Sequence, residues 1–400
     1  MSQQALSGIK VVEYTNTVGG AYAGKLLATA GAQVIRVEEP DGSNRIRNLA
    51  PFAEDDRHIE KSIMHLYCNP EKTSVTLDLN KEEGQEILRK LLAGADIFIK
   101  EGLPEWYDSR GIGWEALHKL NPKLVVGSLT PYGEVGPYRG YKANPLNIQY
   151  ISGPAALYPH GTGDMEKAPT MIGGSFEEYD TGTILLTGVL AALFYQCMTG
   201  VGQYMPVSAV EAQHETDHTN VQYPVTGFYH TRAAVRNKLM SSLPTPCKDG
   251  YIAPFLVQLH EFNGVAKLIG HEEWINEDWF KNTETRQANY QKITDAMWEY
   301  CSTRTMKEIS DESQKLNASL GPNYTPQYVV DEDEQFAARH FFTEMEHPFA
   351  GEMKYPGSPF KMSETPFRYE KPAPILGSGN EEVYGALGLD VKALKNAGVI

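Results

Sequence analysis

The sequence predicts an α/β protein with a parallel sheet, followed by a smaller α+β domain. Three observations lead there. Short β-branched runs alternate with helical runs through the first half of the chain. The first strand leads into a glycine-rich turn, Gly19-Gly20-Ala21-Tyr22-Ala23-Gly24. From about Asn220 to Thr325 the composition turns more aromatic and more polar.

The elements follow in order. Ile9–Tyr14 is a short β-branched strand; after the glycines come a helical run, Lys25–Ala30, and a strand, Gln33–Glu38. Ser74–Leu79 is a strand, and Glu82–Leu92 a helix with Ile87, Leu88, Leu91 and Leu92 at helical spacing. Asp96–Ile99 and Leu124–Leu129 are strands flanking a helix at Trp114–Leu120. Thr183–Met198 is a strongly apolar helix that returns as the strand Gly202–Ser208. Lys248-Asp249-Gly250-Tyr251 marks a hairpin turn in the second domain. The last seventy or so residues, rich in Pro and Gly, are expected as an extended tail packed on another surface. The expected domains are 1–219, 220–325 and a segment 326–400 returning to the first.

Composition narrows the function. With 36 Lys+Arg against 51 Asp+Glu the chain carries a formal charge of −15, which argues against a nucleic-acid partner. A small anionic ligand needs only a local cluster of cations and stays open. The apolar stretches are expected to fall short of the ~20 residues that span a bilayer, so no membrane association is expected. No secretory signal is visible at Met1–Lys10. Cys68, Cys197, Cys247 and Cys301 lie far apart without a CxxC pair, as reduced cytoplasmic thiols would. The glycines of the first turn do not form GxGxxG, so tight βα packing explains them as well as a nucleotide would.

Several segments, in order along nearly the whole chain, resemble the class III coenzyme A transferases. They are Leu6–Val12 with Gly31–Glu38, Asn69-Pro70-Glu71-Lys72-Thr73-Ser74, Leu120–Val125 with Gly136-Pro137-Tyr138, and Thr199-Gly200-Val201-Gly202-Gln203. His347-Pro348, Ser363–Pro366 and Pro372–Gly377 resemble the family's C-terminal part. The resemblance implies a Rossmann-like large domain, a small domain, and two chains interlocked as a ring-like dimer. It also implies covalent chemistry, in which a carboxylate takes an acyl group from a CoA thioester and then carries CoA itself. CoA enters as substrate; no permanent cofactor and no metal are expected.

On the same resemblance the nucleophile lies four residues before a glycine that opens the long apolar helix. Counting back from Gly182 gives Glu178 where the family has Asp, with Asp180 expected to point elsewhere. The implied CoA-binding set is Thr17, Val18, Gly19, Arg47, Lys72 and Arg110. Other positions depart from the family. Glu39 replaces an Arg that some members carry, Ile99-Lys100-Glu101-Gly102 replaces V-E-N-F, and Arg110 is out of register. Together these point to the weaker or non-catalytic chain of a heteromer with a second class III chain, of the kind that transfers CoA to benzylsuccinate. A Glu-dependent homodimer and a purely structural subunit are the alternatives. Tyr150, Tyr158, Phe176 and Tyr179 would suit a bulky or aromatic acid.

Two further readings arise. His214-Glu215-Thr216-Asp217-His218 matches HExxH, the zinc motif of metallopeptidases, with His230 as a possible third ligand. The related racemases of methyl-branched acyl-CoA use a His base, which becomes Asn144 here, so that reading loses its base.

Overall fold

The computed structural model describes residues 4–157, 168–216, 223–227 and 244–400. Two compact units are present: one comprises Met1–Ala156, Thr170–Tyr229 and His340–Ile400, the other Leu157–Pro169 and His230–Arg339.

In chain order the large unit contains β1 (Lys10–Tyr14), α1 (Val18–Thr29), β2 (Gln33–Glu38), α2 (Ile63–Cys68), β3 (Thr73–Thr76), α3 (Glu82–Ala93) and β4 (Ile97–Glu101). Then come α4 (Pro104–Asp108), α5 (Trp114–Leu120), β5 (Val125–Thr130), α6 (Pro145–Ser152), α7 (Phe176–Thr199), β6 (Tyr204–Ser208) and α8 (Ala209–Thr216). The six strands are all parallel in the order β3-β2-β1-β4-β5-β6. The order reverses between β1 and β4, which opens a crevice at their carboxyl ends.

Strand alternation sends Val11 and Val12 to opposite faces. Val12, Val37, Phe98 and Val126 meet α3, α5 and the C-terminal residues Tyr384, Leu394, Val399 and Ile400. Val11, Val34, Ile97 and Val125 meet α1 and α7 through Leu27, Leu185 and Val189. The tail thus folds back onto its own unit: Gly379 N–H donates to Ser74 O at 2.8 Å, and the Tyr384 hydroxyl to Thr76 O at 2.8 Å. In the smaller unit, β7 (Thr245–Cys247), β8 (Gly250–Pro254) and β9 (Leu320–Pro322) form an antiparallel sheet. Cys247 pairs with Gly250 across the expected turn.

Two expectations need correction. The glycines after β1 are not a turn but the first half of α1. And α7 is long and apolar enough to cross a membrane by length and composition, where the sequence reading expected no such stretch. One face of α7 packs on the sheet through Leu185, Val189, Ala192 and Leu193.

The glycines of α1 serve a helix crossing. A Cβ on Gly19 would lie 2.7 Å from Glu178 O, and one on Gly182 would overlap Gly19 O. Backbone therefore meets backbone where α1 and α7 cross. Gly182→Ala offers about 1 kcal/mol of helix propensity. It is nonetheless expected to lower stability by about 1–3 kcal/mol, since overpacking against backbone costs more. Urea unfolding would check this, and a net gain in stability would contradict the crossing.

Candidate active site

Residues 178 and 182 are four apart on one face of α7. Gly182 seats that face on α1, and so brings Glu178 to the N-terminus of α1. The first-turn N–H groups of a helix lack helix acceptors and attract negative charge. Val18 N–H donates to Glu178 Oε1 at 3.1 Å. Thr17 caps the helix, its Oγ1 accepting the Gly20 N–H at 3.1 Å.

Arg45, in the 3-10 turn Arg45–Asn48 after β2, completes the surroundings of Glu178. Its Nη1 lies 2.7 Å from Oε1 and its Nη2 3.4 Å from Oε2. Burial pulls the Arg45 guanidinium down, but the hydrogen bond and charge of Glu178 outweigh it and hold it above its ordinary value. A buried carboxylate is thereby presented with one amide and one guanidinium as donors.

Glu101, ending β4, faces the same helix end. It accepts the Asn16 N–H at 2.8 Å, the Thr17 N–H at 3.1 Å and the Thr17 hydroxyl. Burial pushes its carboxyl up, against the pull of those bonds. Glu177, beside Glu178, is 3% exposed and pushed up to about 7 by burial and by the neighbouring Glu178 charge. Glu101, Glu177, Glu178 and Arg45 share a cavity of about 400 Å³ with Asn16, Thr17, Gly19, Thr130 and Asn144; Leu129, Pro131, Pro145 and Ile148 form an apolar wall.

Of the residues expected from sequence, Thr17, Gly19 and Glu178 line this cavity and Val18 bonds to Glu178. The others lie elsewhere. Arg47 is fully buried and paired bidentately with Glu38 at 2.7 and 2.8 Å, with Glu60 at 2.8 Å and with Pro374 O at 3.1 Å. Lys72 gives its three protons to Glu13, Ala21 O and Asn69 at 2.7, 2.7 and 2.9 Å. As placed, Lys72 directs all three of its donors, and Arg47 four of its five, to groups inside the chain. Arg110 stacks over Trp106 at 4.0 Å and donates to Leu79 O, Trp106 O and Asn80. Glu39 accepts the Tyr14 hydroxyl.

None of Tyr150, Phe176 and Tyr179 lines the cavity; Tyr179 packs edge-on against Tyr22 and Tyr67. Tyr158 lies outside the described residues. So do Asp217, His218 and His230 of the zinc reading, and among the described residues no cluster of metal-ligating side chains occurs. Asn144 caps α6 with its side chain and stands in the cavity wall.

The family profile of CoA-transferase family III matches residues 6–380. The chain belongs to that family. It is 29% identical over the full length of both chains to formyl-CoA:oxalate CoA-transferase of Streptomyces coelicolor. It is 27% identical to the succinyl-CoA:(R)-benzylsuccinate CoA-transferase subunit BbsE of Thauera aromatica, covering 98% of this chain and 97% of that one. A CaiB/BaiF family protein from Brucella suis has the same fold, with a TM-score of 0.82 and 25% identity over 97% of this chain and 100% of that one. This CoA-transferase thus acts on CoA thioester substrates, and its resemblance-based fold expectation holds: a Rossmann-ordered sheet in a mixed α/β chain.

Sequence reasoning missed Arg45 and Glu177 as lining residues of this CoA-transferase's cavity. A buried carboxylate needs a cation. The short run Asn44-Arg45-Ile46-Arg47 offers two, of which Arg47 turns into the protein and Arg45 toward Glu178.

Proposed function

We propose that this chain moves CoA between an acyl-CoA, such as succinyl-CoA, and a carboxylic acid, with Glu178 as the covalent relay. The observation that supports it is the placement of Glu178, buried at the N-terminus of α1 and open to a cavity. A Glu178 oxygen attacks the thioester carbon, the C–S bond breaks, and CoA thiolate leaves a mixed anhydride. The thiolate attacks the Glu178 carbonyl carbon, expels the donor acid as carboxylate and forms a glutamyl-CoA thioester. The acceptor carboxylate then runs the two steps in reverse and leaves Glu178 free. No proton is gained or lost overall. First-turn N–H groups of α1, Gly19 among them, are suited to the oxyanions that form. The apolar wall suits an acid with a hydrocarbon body, and benzylsuccinate is one candidate.

A second reading is favoured by Glu101, whose carboxylate occupies N–H groups at the α1 terminus that would otherwise face phosphate or thiolate. On that reading a second family III chain binds CoA and this chain completes the complex. Either way the chain assembles: along α7, Leu190, Phe194, Tyr195 and Met198 are exposed, Phe194 by 70% and Met198 by 72%, an apolar stripe that a partner chain would cover. The test is label exchange between succinyl-CoA and succinate by the chain purified alone, with its mass followed by light scattering. Exchange by a homo-oligomer is expected. Exchange only after a second family III chain is added would establish the second reading, and a stable 44.5 kDa monomer would contradict assembly.

A further inference from the structure

The cavity has a charge imbalance. Among its lining residues Arg45 is the one cation, against the carboxyl groups of Glu101, Glu177 and Glu178. Arg45 is committed to Glu178. Glu101 is satisfied as an anion by two backbone N–H groups and a hydroxyl. A carboxylate substrate entering with all three ionised would meet uncompensated like charge in a desolvated site.

Glu177 stands apart from the other two. Its side chain is buried beside Glu178, and its Oε2 has no hydrogen-bond partner. A buried ionised oxygen without a donor is costly, whereas a neutral acid can wait there as a donor itself. Among the described residues, its surroundings offer no cation of its own. Glu178 and Asp180 flank it on α7, and Arg45 is spent on Glu178. α8 packs there with neutral Gln213, bonded to the Glu177 backbone oxygen and to Asp180, and His214 is tied to Ser152 O.

We propose that Glu177 is a neutral carboxylic acid in the resting CoA-transferase and donates its hydrogen to the carboxylate of the acid substrate. This rests on the transfer reading of the cavity. It names Glu177 as a substrate-selecting residue for anionic acids. The proton is held across the O–H···O contact and does not leave, so the balance of the transfer steps is unchanged. Burial and the Glu178 charge place the titration of Glu177 near 7, so the donor is lost above neutrality.

The test uses the whole purified protein and its Glu177→Gln variant. Infrared difference spectra across pH 5–9 are expected to show a protonated carboxyl band that titrates near 7 and is missing from the variant. Addition of oxalate, succinate or benzylsuccinate is expected to shift the band for at least one of them. In the exchange assay, wild-type kcat/KM for the acid is expected to fall about tenfold per pH unit above 7. Glu177→Gln, which keeps an N–H donor, is expected to flatten that limb. Glu177→Leu is expected to raise the acid's KM by roughly 10- to 100-fold, the worth of a hydrogen bond to a charged group. Absence of the band, a band that none of the three acids shifts, or an unchanged limb in Glu177→Gln would overturn the proposal. The spectra need no turnover, so a failure of the transfer reading itself appears separately, as a titrating band in a protein that exchanges no label.

Discussion

Glu178→Gln should eliminate CoA transfer, lowering kcat by on the order of 10⁴-fold or more, the scale of losing a covalent nucleophile. Glutamine keeps the length and one oxygen that can accept the Val18 N–H, so the cavity retains its shape. The Arg45 pair is part-exposed, which limits its share in stability. Melting behaviour close to wild type with transfer gone is therefore the expected pattern. Glu178→Asp, which supplies the residue type that the family resemblance implies there, should fall by about 100-fold, because the carboxylate would sit roughly 1 Å short of a site built for the longer chain. Steady-state exchange between succinyl-CoA and labelled succinate reads both effects. Retention of transfer by Glu178→Gln would assign the nucleophile elsewhere.

The second large effect falls on stability. Glu13, Arg36, Glu38, Arg47 and Lys72 form a buried chain of ion pairs beneath β1, β2 and β3, each with a fully enclosed side chain. Arg47→Met would leave Glu38 and Glu60 without their shared guanidinium. Removing one member of a buried pair costs about 3–5 kcal/mol, because the partner remains as an unpaired charge. Urea unfolding should register that loss, and the KM for acyl-CoA should stay near wild type. A variant of normal stability with a raised KM would instead restore Arg47 as a CoA ligand.

The same network sets an acid limit. Burial alone would raise the Glu38 carboxyl, but the Arg36 charge and the Arg47 hydrogen bonds outweigh it and hold it well below the carboxylate range. Its stabilisation is thus complete above the ordinary carboxylate pKa and is lost as pH falls below it. Lys72 acts in the same direction at higher pH: burial lowers it to about 8, despite the Glu13 charge, so its cost is absent above the ordinary lysine range and is felt as pH falls.

The sheet was legible because each strand is a short β-branched run bounded by polar residues, and burial on both faces leaves such runs nearly unbroken. Glu178 was legible only through the family resemblance, which implies a nucleophile four residues before the glycine; in the structure that spacing puts both on one helical face. The glycines of α1 were misread as a turn because their reason lies in α7, some 160 residues away, and local pattern does not report a backbone crossing. For the same reason sequence did not distinguish Arg45 from Arg47. Both sit in one short 3-10 turn, and which faces the cavity depends on where Glu38 and Glu178 are fixed. Glu177 escaped notice because carboxylates in a first helical turn are ordinarily solvated; here the packing of α6, α7 and α8 encloses it. The tail looked structureless because its helices Asn380–Ala386 and Val391–Asn396 are short, yet they close one face of the sheet.

Mass spectrometry after incubation with succinyl-CoA, with and without hydroxylamine, addresses the covalent relay most directly. A CoA thioester on the peptide containing Glu178 is expected, replaced by a hydroxamate on the same residue when hydroxylamine is present. An unmodified Glu178 peptide in a preparation that is turning over substrate would contradict the relay.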